Sequence, residues 1–293
     1  MYTSCRLCAR GCGIDRTSGS VGYCKMTDKI FLARADLHMW EEPPISGTRG
    51  SGTVFFSGCS LGCIYCQNRD ISRGAVGYSV SERELSETFL ALRDKGAHNI
   101  NLVTATHYAP SVIKAVRAAR EKGLSVPIVY NTGSYDTPET VKALSDTVNV
   151  WLPDLKYSRP GTAAAYSFAE DYPSVARRAI DEMVALAPTP IFDADGIMTS
   201  GVIVRILLLP GHLAEAKLNL KYLYDKYKNG IYLSLMSQYT PLSGLPAPLH
   251  RRVTSAEYSE LVGYAERLGV VNAFVQERDS AREDYIPPFR TDT

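Results

Sequence analysis

The sequence has no window approaching the ~18 uninterrupted apolar residues of a membrane-spanning helix, and its start, Met1-Tyr2-Thr3-Ser4-Cys5-Arg6, has no apolar stretch of the signal-peptide kind. A cytoplasmic chain with no membrane association is the expectation. Charge of one sign is lacking too: 32 Lys and Arg against 31 Asp and Glu leave a formal net charge of +1. Counterion release on nucleic acid needs clustered positive charge, so no nucleic-acid partner is expected. Internal repeats and low-complexity segments are absent. Cysteine is missing from residue 67 onward, because all seven fall within the first 66 residues. An odd number in a chain of this length does not suit a disulfide framework and points to metal ligation or reactive thiols. What is present, 293 residues with 45% hydrophobic and 22% charged content, suffices for one large core or two modest ones and excludes disorder.

The cysteines form two groups. Cys5, Cys8, Cys12 and Cys24 follow C-x2-C-x3-C-x11-C among glycines at 11, 13, 19 and 22. Four thiolates fill a tetrahedron, which suits a closed site for zinc or iron, and ligand softness does not choose between them. The stretch is too polar and glycine-rich to be a core of unliganded thiols. Cys59, Cys63 and Cys66 follow C-x3-C-x2-C just beyond an apolar, strand-like run from Thr53. Three thiolates can hold three irons of a cubane cluster and leave the fourth open to a ligand.

From residue 53 onward, short β-rich runs alternate with longer helical patterns, the signature of βα units on a parallel sheet. Strands are predicted at Thr53 to Ser57, Ile100 to Ala105, Val126 to Tyr130, Val148 to Leu152, Val202 to Leu209 and Ile231 to Met236, with a rim strand at Val270 to Gln276. Helices are predicted at Ser81 to Lys95, opening with a capping box, and at Ala109 to Lys122, Pro138 to Ser145, Pro173 to Leu186, Ala214 to Lys228 and Ser255 to Leu268. Such a pattern gives an α/β barrel, open or closed, with ligands at the carboxyl ends of its strands. The Pro/Gly-rich stretch 43–50 reads as a linker, dividing a cysteine module (residues 1–45) from the barrel (residues 46–293). A second such stretch, Tyr239 to Pro248, suits either a substrate-contacting lid or an ordinary connection.

The C-x3-C-x2-C motif with Tyr65 before its last cysteine resembles the radical S-adenosylmethionine superfamily. The resemblance implies a partial (β/α)6 TIM-like barrel. It also implies a [4Fe-4S] cluster on Cys59, Cys63 and Cys66, whose open iron chelates S-adenosylmethionine and whose electron cleaves it to methionine and a 5′-deoxyadenosyl radical. The strand ends, among them Asn101 to Tyr108, Tyr130 to Tyr135 and Leu152 to Tyr157, resemble the branch of pyruvate formate-lyase activating enzymes over nearly the whole chain. By that resemblance Tyr65 lies near the adenine, Asn131 and Ser134 near the ribose, and Asp154 and catalytic Lys156 near the sulfonium and the radical. The sequence departs from the family at Thr104 and Thr106, where a Gly-Gly-Glu turn usually grips the methionine amine, so a hydroxyl or a backbone carbonyl must replace it. Ile206 stands where relatives often carry a histidine.

The residue chemistry fits these roles in part. Asp154 and Lys156 alternate along a strand and share one face, as partners for a zwitterionic sulfonium or as a salt bridge at the barrel mouth. His107 is a candidate cofactor contact or proton donor, or a packed hydrogen-bonding residue. His212 is a weaker candidate on the substrate side, whereas His38, His98 and His250 have no indicated role. Asp193-Ala194-Asp195-Gly196 lacks the remaining ligands of a calcium loop and reads as a hairpin turn. The leading functional expectation is a radical enzyme that abstracts hydrogen from a polypeptide, activating a glycyl radical enzyme, with a flavodoxin- or ferredoxin-type electron donor. The alternatives are a radical enzyme acting on a small molecule or another peptide and, from a different class, a non-catalytic iron–sulfur electron carrier.

Overall fold

Four short apolar runs, Ser51–Phe56 (β2), Ile100–Val103 (β4), Ile128–Thr132 (β5) and Val150–Pro153 (β6), are buried along their whole length, as expected of strands covered on both faces. The computed structural model describes residues 1–74 and 76–276. Its remaining strands are Ile30–His38 (β1), Tyr78–Val80 (β3), Ile191–Phe192 (β7), Met198–Leu207 (β8), Tyr232–Met236 (β9) and Ala273–Val275 (β10). In the order β2-β4-β5-β6-β8-β9-β10 the strands pair in parallel. β1 pairs antiparallel with β2, and β3 with β1, at one edge, while β10 forms the other. The two edges do not pair with each other, so the α/β sheet is a partial TIM-like barrel.

The helices are Pro43–Ser46 (α1), Arg69–Ser72 (α2), Glu82–Asp94 (α3), Ala109–Glu121 (α4), Pro138–Ala143 (α5), Pro160–Ser167 (α6), Tyr172–Leu186 (α7), Leu213–Tyr227 (α8) and Ser255–Leu268 (α9). α3 starts at the expected capping box of Ser81 and Glu84, and it buries Leu85, Phe89 and Leu92 at helical spacing. Along the strands alternate residues divide between two layers. Tyr130 and Trp151 pack outward in the main core, whereas Val129, Val150, Leu152 and Ile203 face inward around Ile45. Among the described residues no helix is long and apolar enough to cross a membrane.

Two expectations change. Residues 43–50 are not a linker: α1 plugs the amino-terminal end of the barrel, with Ile45 fully buried and its carbonyl accepting from Asn99 Nδ2 at 2.6 Å. β1 belongs to the sheet, so the cysteine-bearing segment outside it ends before Ile30 rather than near residue 45. The Pro-Pro sequence looked like a linker because proline at the start of a short helix carries the same local signal as proline in a loop. The turn at residues 193–196 joins β7 to β8 as a hairpin, with Asp193 Oδ1 accepting from the Asp195 and Ile197 amides.

Candidate active site

Beyond β2 the chain enters a loop that brings Cys59, Cys63 and Cys66 to the rim of a cavity of about 590 Å³, onto which the carboxyl ends of β4, β5, β6, β8 and β9 also open. Gly62 turns this loop at φ +60°, and a Cβ there would stand 2.1 Å from the Arg73 guanidinium carbon. Arg73 donates to Gly62 O at 2.6 Å. Arg10 ties the loop to the end of α6, donating from Nε to Ser60 O and from Nη2 to Ser167 O, each at 2.9 Å.

The donor set fits an iron–sulfur cluster. The Leu61 and Gly62 amides point at Cys59 Sγ at 3.4 and 3.5 Å, and the Ser167 hydroxyl lies 2.9 Å from Cys63 Sγ. Burial and the neighbouring sulfurs push the Cys66 thiol up to about 12, and burial likewise raises Cys59. Thiols so placed become thiolates only with a compensating positive charge, which bound iron supplies. Among the described residues no three His, Cys, Asp or Glu side chains converge on a single-ion position. A cubane makes no such demand, since it binds each thiolate to a different iron.

A line of charge crosses the cavity wall. Lys156 Nζ lies 2.5 Å from Asp154 Oδ2, Arg205 Nε 2.7 Å from Asp154 Oδ1, and Arg205 Nη1 3.5 Å from Glu41 Oε2. Asn101 and Asn131 donate to Glu41 Oε1 at 2.9 and 3.4 Å. Burial works to raise the Asp154 carboxyl, but Arg205 and Lys156 hold it below its ordinary value. Burial raises Glu41 and Glu42 despite Arg205. Glu42 Oε2 is buried without a hydrogen-bond partner. Both glutamates line the cavity from the turn that leads into α1. Sequence reasoning missed them: two acids ahead of Pro-Pro are the only local signal, and their role depends on the plug. It also assigned no role to Arg205.

Of the other expected site residues, Tyr65, Thr104, Thr106, Asn131, Asp154 and Lys156 line the cavity. Thr104, a β-branched residue, sits at φ 60°, in the left-handed region. His107 and Ser134 do not line it. His107 is buried behind the wall, with Nε2 2.8 Å from Ser57 O and its ring against Tyr108, so its packing alternative describes its place. Ser134 is fully buried, and its amide donates to Thr132 Oγ1. His212 precedes α8 and contacts the Tyr166 hydroxyl at 2.9 Å and Glu215 at 3.4 Å, outside the cavity. Tyr239, at the start of the possible lid, lines the cavity.

At the amino terminus Cys5, Cys8 and Cys24 are buried and Cys12 is exposed. Burial, with Cys24 and Cys5 nearby, pushes the Cys8 thiol up to about 12. Arg16, fully buried, approaches Cys5 Sγ at 3.8 Å and donates to Met26 O and His107 O.

Comparison with known proteins agrees with this geometry. Residues 53–185 match the family described as the radical SAM superfamily. An uncharacterized protein of Methanocaldococcus jannaschii is 24% identical over 276 residues, 91% of this chain and 75% of that protein. The fold is similar to that of the FeFe-hydrogenase maturase HydG of Carboxydothermus hydrogenoformans (TM-score 0.54, 14% identity, 78% of this chain). It is also similar to that of Streptococcus suis SuiB bound to S-adenosylmethionine (TM-score 0.50, 10% identity, 76% of this chain). The chain spans about half the length of these two, 54% and 49%. Residues 53–185 are thus similar in sequence to the radical SAM superfamily, and they hold the three-cysteine loop on the cavity of a partial barrel.

Proposed function

We propose that this chain is a radical enzyme whose substrate is a polypeptide, and that it activates a glycyl radical enzyme by abstracting hydrogen from a glycine Cα. The supporting observation is the meeting, on one cavity, of the three-cysteine loop with Asp154, Lys156 and Arg205. When bound, a [4Fe-4S] cluster on Cys59, Cys63 and Cys66 supplies the electron that cleaves S-adenosylmethionine to methionine and a 5′-deoxyadenosyl radical. The protein's own residues do the orienting. Lys156 and Arg205 would face the cofactor's carboxylate and Asp154 its cationic groups, while Tyr65 would offer a ring to the adenine and Asn131 an amide to the ribose. Buried side chains on the cavity walls, among them Tyr65, Thr106 and Asn131, limit the access of water to a reactive intermediate. Thr104, turned by its positive φ, offers a hydroxyl or carbonyl where relatives carry an acid. A second metal, zinc or iron on Cys5, Cys8, Cys12 and Cys24, is part of the same proposal and would have to draw together side chains that do not converge on a single-ion position in this structure; a flavodoxin- or ferredoxin-type donor completes it.

The test is anaerobic reconstitution with iron and sulfide, then dithionite and S-adenosylmethionine, with 5′-deoxyadenosine as the product sought. A loaded parent that forms none, or a Cys59→Ala variant that behaves like the parent, contradicts the chemistry. Incubation with candidate glycyl radical enzymes should give a doublet EPR signal. A second reading, a small-molecule substrate, is favoured by one observation: Glu42, a residue of the cavity lining, keeps one buried oxygen without a hydrogen-bond partner. Cofactor cleavage without any glycyl signal would select it.

A further inference from the structure

A line of hydroxyl groups runs away from the cysteine loop. Ser167, the last residue of α6, is fully buried, and its Oγ lies 2.9 Å from Cys63 Sγ. Behind it stands the Tyr157 hydroxyl at 2.6 Å, and the Tyr157 and Tyr65 hydroxyls are 2.8 Å apart. Tyr65 returns the line to the cavity, which it borders beside Cys66. Each hydroxyl has one proton to give. A metal-bound thiolate has none, so the Ser167 proton must point at Cys63. Its oxygen is then left as an acceptor for Tyr157, whose single proton, directed at Tyr65 in this structure, turns to Ser167 and leaves the Tyr157 oxygen to accept from Tyr65. The charge on one sulfur sets the direction of all three protons.

We propose that Ser167 tunes the reduction potential of the cluster through Cys63, with Tyr157 and Tyr65 polarising its hydroxyl toward the sulfur. The inference rests on the radical SAM reading of the three cysteines. A hydrogen bond donated to a ligating thiolate stabilises the reduced cluster, which carries one more negative charge, and so raises the potential. In a dry site linked hydroxyls strengthen one another, which gives the two tyrosines a part in the effect. Ser167 is also held in place. Arg10 grips the carbonyls of Ser60 and Ser167 with one guanidinium, the Ile64 amide donates to Tyr166 O at 2.9 Å, and α6 ends immediately at Phe168 in the left-handed region. The hydroxyl is therefore fixed relative to the loop that carries Cys63. Ser167 is a positioning residue that acts through the cysteine.

The test is an EPR-monitored redox titration of the reconstituted full chain, with iron and sulfide quantified for each variant. Ser167→Ala should lower the midpoint so that the reduced-to-oxidised ratio at a fixed potential falls about tenfold, about 59 mV for a one-electron couple. Ser167→Thr should restore the parent value, and Tyr157→Phe should shift it the same way by less. A Ser167→Ala protein with the parent's iron content and the parent's midpoint overturns the proposal. Should Ser167→Ala fail to load, Tyr157→Phe decides, since it leaves the Ser167–Cys63 contact intact; an unchanged midpoint there overturns the relay. A parent that binds no iron at all overturns the underlying reading and the inference with it.

Discussion

Arg205 and Asp154 are cross-strand partners twice over: their backbones form a parallel bridge, with the Leu155 amide donating to Arg205 O, and Arg205 Nε meets Asp154 Oδ1 at 2.7 Å. The same register that pairs the strands thus places a cation against a carboxylate on the cavity wall, with Glu41 and Lys156 as the outer partners.

Removing the arginine should leave Asp154 with Lys156 as its remaining ionic partner and Glu41 with none, held only by the amides of Asn101 and Asn131. Losing one member of a buried ion pair costs about 3–5 kcal/mol, and Arg205→Met should show a loss of that size in urea unfolding. Arg205→Lys, which keeps the charge but not the fork, should recover part of it. A midpoint equal to the parent's for Arg205→Met would contradict the network's importance.

Thr104 stores strain. A β-branched residue at φ 60° costs on the order of 1–3 kcal/mol, while glycine in its place adds about 0.5–1 kcal/mol of unfolded-state entropy. Thr104→Gly should therefore stabilise the fold by about 1 kcal/mol. It should also weaken S-adenosylmethionine binding in equilibrium dialysis if the hydroxyl serves the methionine end.

His107 gives the protein a pH dependence with a definite sign. Burial, aided by Arg16, lowers its pKa from 6.5 to about 3. Between those values the unfolded chain holds a proton that the folded chain excludes. Stability should fall as pH drops from about 6.5 toward 3, by about 1.4 kcal/mol per pH unit from this group, and should be unaffected by it above pH 7. Urea midpoints of the metal-free, reduced chain at pH 7, 6 and 5 measure the slope, and His107→Gln should flatten it.

Arg10 joins the amino-terminal segment to the cysteine loop and to α6, and its guanidinium stacks 3.7 Å over Tyr23. Hydrogen bonds from a charged donor contribute about 1.5–3 kcal/mol. Arg10→Ala should destabilise the chain by about 2 kcal/mol and lower the iron retained after gel filtration. Parent-like iron retention would show that the loop holds its shape without the clamp.

Much of the fold was legible because its signals are local. Burial on both faces makes β2, β4, β5 and β6 short, mostly apolar runs, and the capping box at Ser81 marks where α3 begins. β1 was missed because its burial is partial beyond Ala33 and no βα rhythm announces it, while the hairpin strand β7 has only two residues. In the site, C-x3-C-x2-C is a covalent spacing and can be read directly. His107 follows cavity-lining Thr106 and Ser134 follows cavity-lining Gly133 in the chain, yet a one-residue step in backbone direction turns each into the wall.

By itself the sequence determined the division of seven cysteines into four and three, the alternation that builds the barrel, and the shared face of Asp154 and Lys156, since all three follow from spacing along the chain. Tertiary structure alone decided that Glu41 and Glu42 reach the cavity, that Arg205 links Glu41 to Asp154, and that Ser167 rests on Cys63. These contacts join residues 51 to 164 positions apart. Their physical basis is the plugging of the barrel by α1 and the docking of α6 on the cysteine loop, packing events that leave no periodic trace in the order of the residues.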